Sequence, residues 1–140
     1  MRFAPAALGA ASLCASLVGT AAQAAVTQAQ FPPQTTADLI ALCGAGKDDP
    51  MMTAAVNYCQ GFAEGAVQVA LSYEAVTRQS HKPFCLPSPP PSQNDAQAQF
   101  ASWANADPQR LSEPAVVGLL SFLTQQYPCP HPAVAPRKKK

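Results

Sequence analysis

An all-α fold is predicted by three observations. Helical periodicity runs for nearly thirty residues after Pro50, each apolar run is bounded by cap or stop residues, and no stretch shows the apolar–polar alternation of a half-buried strand. The expected architecture is a small disulfide-bonded bundle of about four helices with one long central helix. At 140 residues the chain has room for one domain.

The first residues are read as targeting rather than fold. Arg2 precedes an uncharged, mostly apolar run from Phe3 to Val18, and small residues follow, ending in Ala22-Gln23-Ala24. A basic start, a short apolar segment and an A-x-A site describe a secretory signal peptide, and the apolar part is too short for a membrane span. Removal near Ala24 would leave the chain periplasmic or secreted. Leu13 stands where a lipoprotein signal wants a small residue, so Cys14 is not read as a lipidated cysteine. The expected division is a signal peptide over 1–24, a leader over 25–34, a helical domain over 35–130 and a disordered basic tail over 131–140.

Within the domain each helix has a local reason. Thr35-Thr36-Ala37-Asp38 reads as a capping box opening a short helix, with Leu39, Ile40 and Cys43 on one face and a stop at Gly44 or Gly46. Asp49 and Pro50 open the long helix, Asp49 as cap and Pro50 in the first turn, where its missing N–H costs nothing. Ala55, Cys59, Phe62, Ala66, Val69, Tyr73 and Val76 then recur at spacings of four and three as an inward stripe, while Asn57, Gln60, Glu64, Gln68 and Ser72 form the polar back. Five prolines between Pro83 and Pro91 forbid a helix and predict a stiff loop of polyproline character. Ser92 or Asn94 starts the third helix, with Ala96, Phe100 and Trp103 inward, ending before Pro108. Ser112-Glu113-Pro114 opens the fourth, with Val116, Leu119, Leu120, Leu123 and Tyr127 inward, and Pro128-Cys129-Pro130 stops it.

Charge excludes one class of partner. The chain carries 9 basic and 8 acidic side chains, but Arg2 and the Arg137-Lys138-Lys139-Lys140 tail hold five of the cations. The body is therefore mildly acidic, which does not suit nucleic acid.

Four cysteines remain after the leader: Cys43, Cys59, Cys85 and Cys129. In a short exported chain they read as two disulfides with three possible connectivities. Pairing neighbours, Cys43 with Cys59 and Cys85 with Cys129, is preferred because it ties the first helix to the long one and the proline loop to the C-terminal end. Just beyond Cys59, Gly61 and Gly65 form a bare strip on the long helix. Each glycine costs about 1 kcal/mol relative to alanine, so the pair is read as a place where another helix comes close, within the chain or across a dimer.

The ordered set Cys43, Tyr58-Cys59-Gln60-Gly61-Phe62-Ala63-Glu64-Gly65, Phe84-Cys85-Leu86-Pro87, Trp103 with Asp107-Pro108, and Tyr127-Pro128-Cys129 resembles the type VI secretion amidase immunity family, the Rap/Tai type. The resemblance covers roughly residues 37 to 130. Ala66-Val67, where that family often has an acidic residue, and the basic tail lie outside the pattern. The resemblance implies a periplasmic, helical, disulfide-bonded protein, often dimeric, that binds a peptidoglycan amidase and plugs its active-site cleft. The Pro-rich 86–92 stretch is a stiff candidate for such a plug, since rigidity lowers the ordering cost of binding.

Two other readings follow from the residues. A periplasmic structural or chaperone-like protein would use the apolar stripe, with Met51 and Met52 exposed, to hold unfolded chains. A metal-binding protein would gather His81, Cys85, Cys129 and His131, a set that an oxidising compartment turns into a disulfide instead. Catalysis and cofactors are not expected: no nucleophile elbow, zinc-protease motif or phosphate loop occurs, and Glu64 and Glu74 do not share a face at catalytic spacing.

Overall fold

Five helices and one 3-10 turn make up the computed structural model, which describes residues 24–77 and 82–130. They are the 3-10 turn Gln28–Gln30, α1 Thr36–Cys43, α2 Met52–Thr77, α3 Gln93–Asn105, α4 Pro108–Leu111 and α5 Ala115–Gln126. The sequence expectation of about four helices omits α4, a single turn that Asp107 caps through its side chain, with Pro108 in the first turn. Residues 1–23 of the expected signal peptide, Cys14 among them, and His81, His131 and the basic tail lie outside the described residues.

Local chemistry explains the ends. Thr35 Oγ1 accepts from the Asp38 N–H at 3.2 Å, and Asp38 Oδ2 accepts from the Thr35 N–H at 3.0 Å, a reciprocal box that satisfies two orphan donors of α1. The α1 helix stops at Gly44, whose N–H reaches Ile40 O. Asp49 organises the start of α2: its Oδ1 accepts from Met51 N–H at 2.8 Å and its carbonyl from Met52 N–H at 3.0 Å. Ser92 caps α3, with Oγ accepting from Asp95 N–H at 3.2 Å.

The short helix α1 is the hub, touching α2, α3, α4, α5 and the 3-10 turn. It stands between two apolar clusters. Leu39 enters the larger, with Phe84, Phe100, Ala115, Leu119, Phe122 and Leu123. Leu42 enters the smaller, with Val26, Ala55 and Cys59. Leu39, Leu42 and Thr36 are all but inaccessible. The long helix α2, expected to be central, is therefore a partner of the hub rather than the hub itself.

Two segments expected to lie outside the core belong to it. Val26 and Pro33, in the stretch read as a leader, are buried, and Phe31 meets Tyr58 edge to face at 5.5 Å. Phe84, from the proline loop, is 1% exposed and plugs the larger cluster. The inward sets expected for α3 and α5 also shift. Ala104 and Phe122 are buried, Trp103 is half-buried with its Nε1–H on Gln125 Oε1 at 3.0 Å, and Val116 faces outward.

Close backbone approach occurs at a glycine the sequence does not single out. Gln34–Thr36 runs antiparallel to Glu113–Ala115, with Thr36 N–H on Glu113 O at 2.8 Å and Ala115 N–H on Gln34 O at 3.1 Å. This presses Thr36 onto α5 at Gly118. A Cβ there would overlap Thr36 Oγ1 and stand 3.0 Å from Thr36 Cβ and Cγ2. Because Thr36 is buried and branched at Cβ, rotating its hydroxyl only swaps one clash for another. At Gly61 and Gly65 an added Cβ meets nothing within 4 Å, so among the described residues no other part of the chain approaches that strip.

The two disulfides tie the elements. Cys43–Cys59 joins the end of α1 to α2 across 16 residues, and Cys85–Cys129 joins the proline loop to the segment after α5 across 44. On the chain-entropy account these loops contribute about 3 and about 4 kcal/mol, substantial for a body of this size, whose net stability is about 5–15 kcal/mol.

Gly118→Ala is expected to destabilise the chain by about 1–3 kcal/mol through overpacking. The same change at Gly61 should leave the isolated chain as stable or more so, by up to about 1 kcal/mol. Denaturant titrations of the two variants against the parent check this; equal losses at both positions would contradict the packing described.

Candidate functional site

The inward stripe expected along α2 is inward only in part. Ala55 and Cys59 are buried and Phe62 and Ala66 half-buried, but Val69 is 69% exposed, Tyr73 62% and Val76 81%. The cause is length. At 1.5 Å per residue, α1 spans about 12 Å and α2 about 39 Å, so the hub covers only the first part of the long helix. Phe62, Ala63, Ala66, Val67, Ala70 and Leu71 lie against the larger cluster from its edge, and the apolar face then continues into solvent.

This leaves an open apolar groove of about 810 Å³. Gly61, Phe62, Gly65, Ala66, Val69, Ala70 and Tyr73 form its α2 wall; Pro83 and Lys82 form one rim, and Val116 and Leu120 of α5 the other. The outward-facing Val116 thus gains a place in the structure. Gly61 and Gly65, without side chains, make the floor accessible down to the helix backbone. Among the described residues the one charged lining group is Lys82.

The Pro-rich stretch separates this groove from a smaller hollow of about 360 Å³ on the other flank of α2, where Leu86, Pro90 and Pro91 face Gln60, Ala63, Glu64 and Val67. Its ends are fixed. On one side Phe84 is buried, Cys85 is crosslinked to Cys129, and Cys85 N–H donates to Tyr127 O at 2.8 Å. On the other, Ser92 begins α3. Between these posts Leu86, Pro87, Ser88, Pro89 and Pro90 are exposed.

Other sequence candidates resolve differently. Met51 and Met52 are half-buried rather than exposed, and Met51 packs on the cluster of Val26, Leu42, Ala55 and Cys59. Cys85 and Cys129 are bonded to each other and offer no thiolates to a metal. Among the described residues no group of His, Cys, Asp and Glu is arranged to hold a metal ion, and no helix is long and apolar enough to cross a membrane. Glu64 lies on the polar back and accepts from Gln68 Nε2 at 3.1 Å. The signal for the groove was present in sequence as an apolar stripe longer than any neighbour able to cover it.

Two crosslinks, a helical body and an uncovered apolar face define a class: a small stapled helical protein whose notable surface suits contact with another molecule. The match to the family model of the Rap1a immunity proteins extends over residues 35–129, and the chain belongs to that family. Immunity proteins of this kind bind a partner effector of type VI secretion. No curated protein and no solved structure matches the chain.

Val69→Asp should cost the isolated chain no more than about 0.5 kcal/mol, the range for exposed positions. Ala55→Asp, a charge placed in the smaller cluster, should abolish folding. Unfolding curves followed by circular dichroism distinguish the two.

Proposed function

We propose that the protein works in the periplasm, after loss of its leader, as a non-catalytic inhibitor of a type VI-delivered peptidoglycan amidase. Membership of the immunity family across residues 35–129 carries this reading. The physical task is occlusion. A loop that enters a hydrolase cleft excludes both substrate and attacking water, and no chemistry is asked of the inhibitor. Residues 86–90 suit the task because they are exposed, proline-rich and fixed at both ends. Their conformational freedom is spent on folding rather than on binding.

The α2 groove has a separate role in this reading: it is the face on which a second copy seats. A helix crossing at Gly61 and Gly65 can approach until backbones touch, and Val69 and Tyr73 then leave water. Pairing through α2 leaves the proline loop of each copy free for an effector.

The mature protein mixed with a type VI peptidoglycan amidase of the same genome should remove wall-digesting activity at a one-to-one ratio of chains. Replacing residues 86–90 by Gly and Ser at equal length should weaken that inhibition at least tenfold with both disulfides retained. An amidase fully active in the presence of the unaltered protein would refute the assignment. For the assembly, light scattering should give twice the chain mass, and Gly65→Glu should halve it.

A further inference from the structure

The smaller cluster holds a contact that the immunity role does not use. Val26 is 6% exposed and lies with Leu42, Ala55 and Cys59, the last 2% exposed and bonded to Cys43. Its backbone N–H donates to Asp49 Oδ2 at 2.7 Å, while the other oxygen of the same carboxylate takes Met51 N–H at 2.8 Å. Asp49 is thus a fork that fastens the N-terminal segment to the start of α2. A fully seated apolar side chain and a charge-assisted hydrogen bond, 23 residues apart in sequence, are more than a passing contact.

We propose that Ala25–Thr27 is a latch that shields the Cys43–Cys59 disulfide from thiol exchange. Reduction requires a thiolate to reach one sulfur in line with the S–S bond. Val26 packs in the cluster that encloses Cys59, and Gln97 Nε2 lies 3.8 Å from Cys59 Sγ. The second disulfide is the more open of the two: Cys85 and Cys129 are both half-buried and belong to neither cluster of buried residues, whereas in the first only Cys43 is half-buried and Cys59 is 2% exposed. The latch also bears on processing. A cut after Ala24 leaves Val26 as the second residue of the mature chain, whereas a cut even two residues later would remove it. This last point rests on the export reading; the shielding does not.

The test compares the two disulfides within one molecule. Protein beginning at Ala25, its Val26→Gly and Asp49→Ala variants, and a chain beginning at Gln28 are exposed under native conditions to dithiothreitol and to glutathione. Free thiols are trapped by alkylation and assigned by peptide mass. In the parent, Cys43–Cys59 should open at least tenfold more slowly than Cys85–Cys129. In the altered chains its opening should accelerate at least tenfold, while Cys85–Cys129 changes less than twofold and so reports that the body is still folded. Equal acceleration of both bonds, or none in either, would overturn the latch. The mass of the chain recovered from the cell envelope tests the export reading separately: a start at Ala25 agrees with it, a retained leader refutes it, and a start beyond Val26 overturns the latch as a feature of the mature protein.

Discussion

An eight-residue helix is too short to persist in water by itself, yet α1 is the element on which every other helix rests. Its stability must come from outside, and the structure supplies it at both ends and on both sides. The capping box of Thr35 and Asp38 closes the N-terminal turn, and the crosslink from Cys43 closes the C-terminal one. Leu39 and Leu42 face different clusters, so α1 is the wall between two cores rather than a member of one. The junction of Thr36 with Glu113 and Gly118 sets its distance from α5. Displacing this one helix would open both clusters together.

From that hub the asymmetry of the molecule follows. A two-turn helix cannot cover a seven-turn one, and past the middle of α2 the larger cluster meets only its edge, at Ala66, Val67, Ala70 and Leu71. A small body has little apolar surface to spare, so leaving Val69, Tyr73 and Val76 in water gives up burial that would otherwise stabilise the fold. Two disulfides offset part of that deficit by restricting the unfolded chain. The same arrangement keeps the apolar face and the exposed proline stretch on a crosslinked base.

What was legible in the sequence was local. Caps and stops depend on a few neighbouring residues, and Thr35 with Asp38, Ser92, and the prolines near 108 and 114 mark their helices where the structure has them. What was not legible depends on how far a partner extends. Periodicity places Val69 and Tyr73 on the same face as Ala55, but it cannot say that the neighbour ends before reaching them. A glycine in a helix announces a missing side chain, not what fills the space: Gly118 meets Thr36, whereas Gly61 and Gly65 meet nothing among the described residues. Phe84 was hidden by its surroundings, because a proline-rich stretch reads as surface while its one phenyl ring is core. Family membership was visible because the spacing of cysteines, glycines and aromatic residues is itself a record of the crosslinked frame.

The fencing of residues 86–90 between two fixed posts has an evolutionary consequence. Nothing in the buried clusters depends on the identity of these five residues, since Phe84, Cys85 and Ser92 carry the structural duties of the segment. The stretch is a cassette: it can drift, lengthen or be exchanged while the frame around it stays folded. In the proposed reading, a lineage confronted with an altered adversary could therefore revise its recognition there without reopening the problem of how the protein folds.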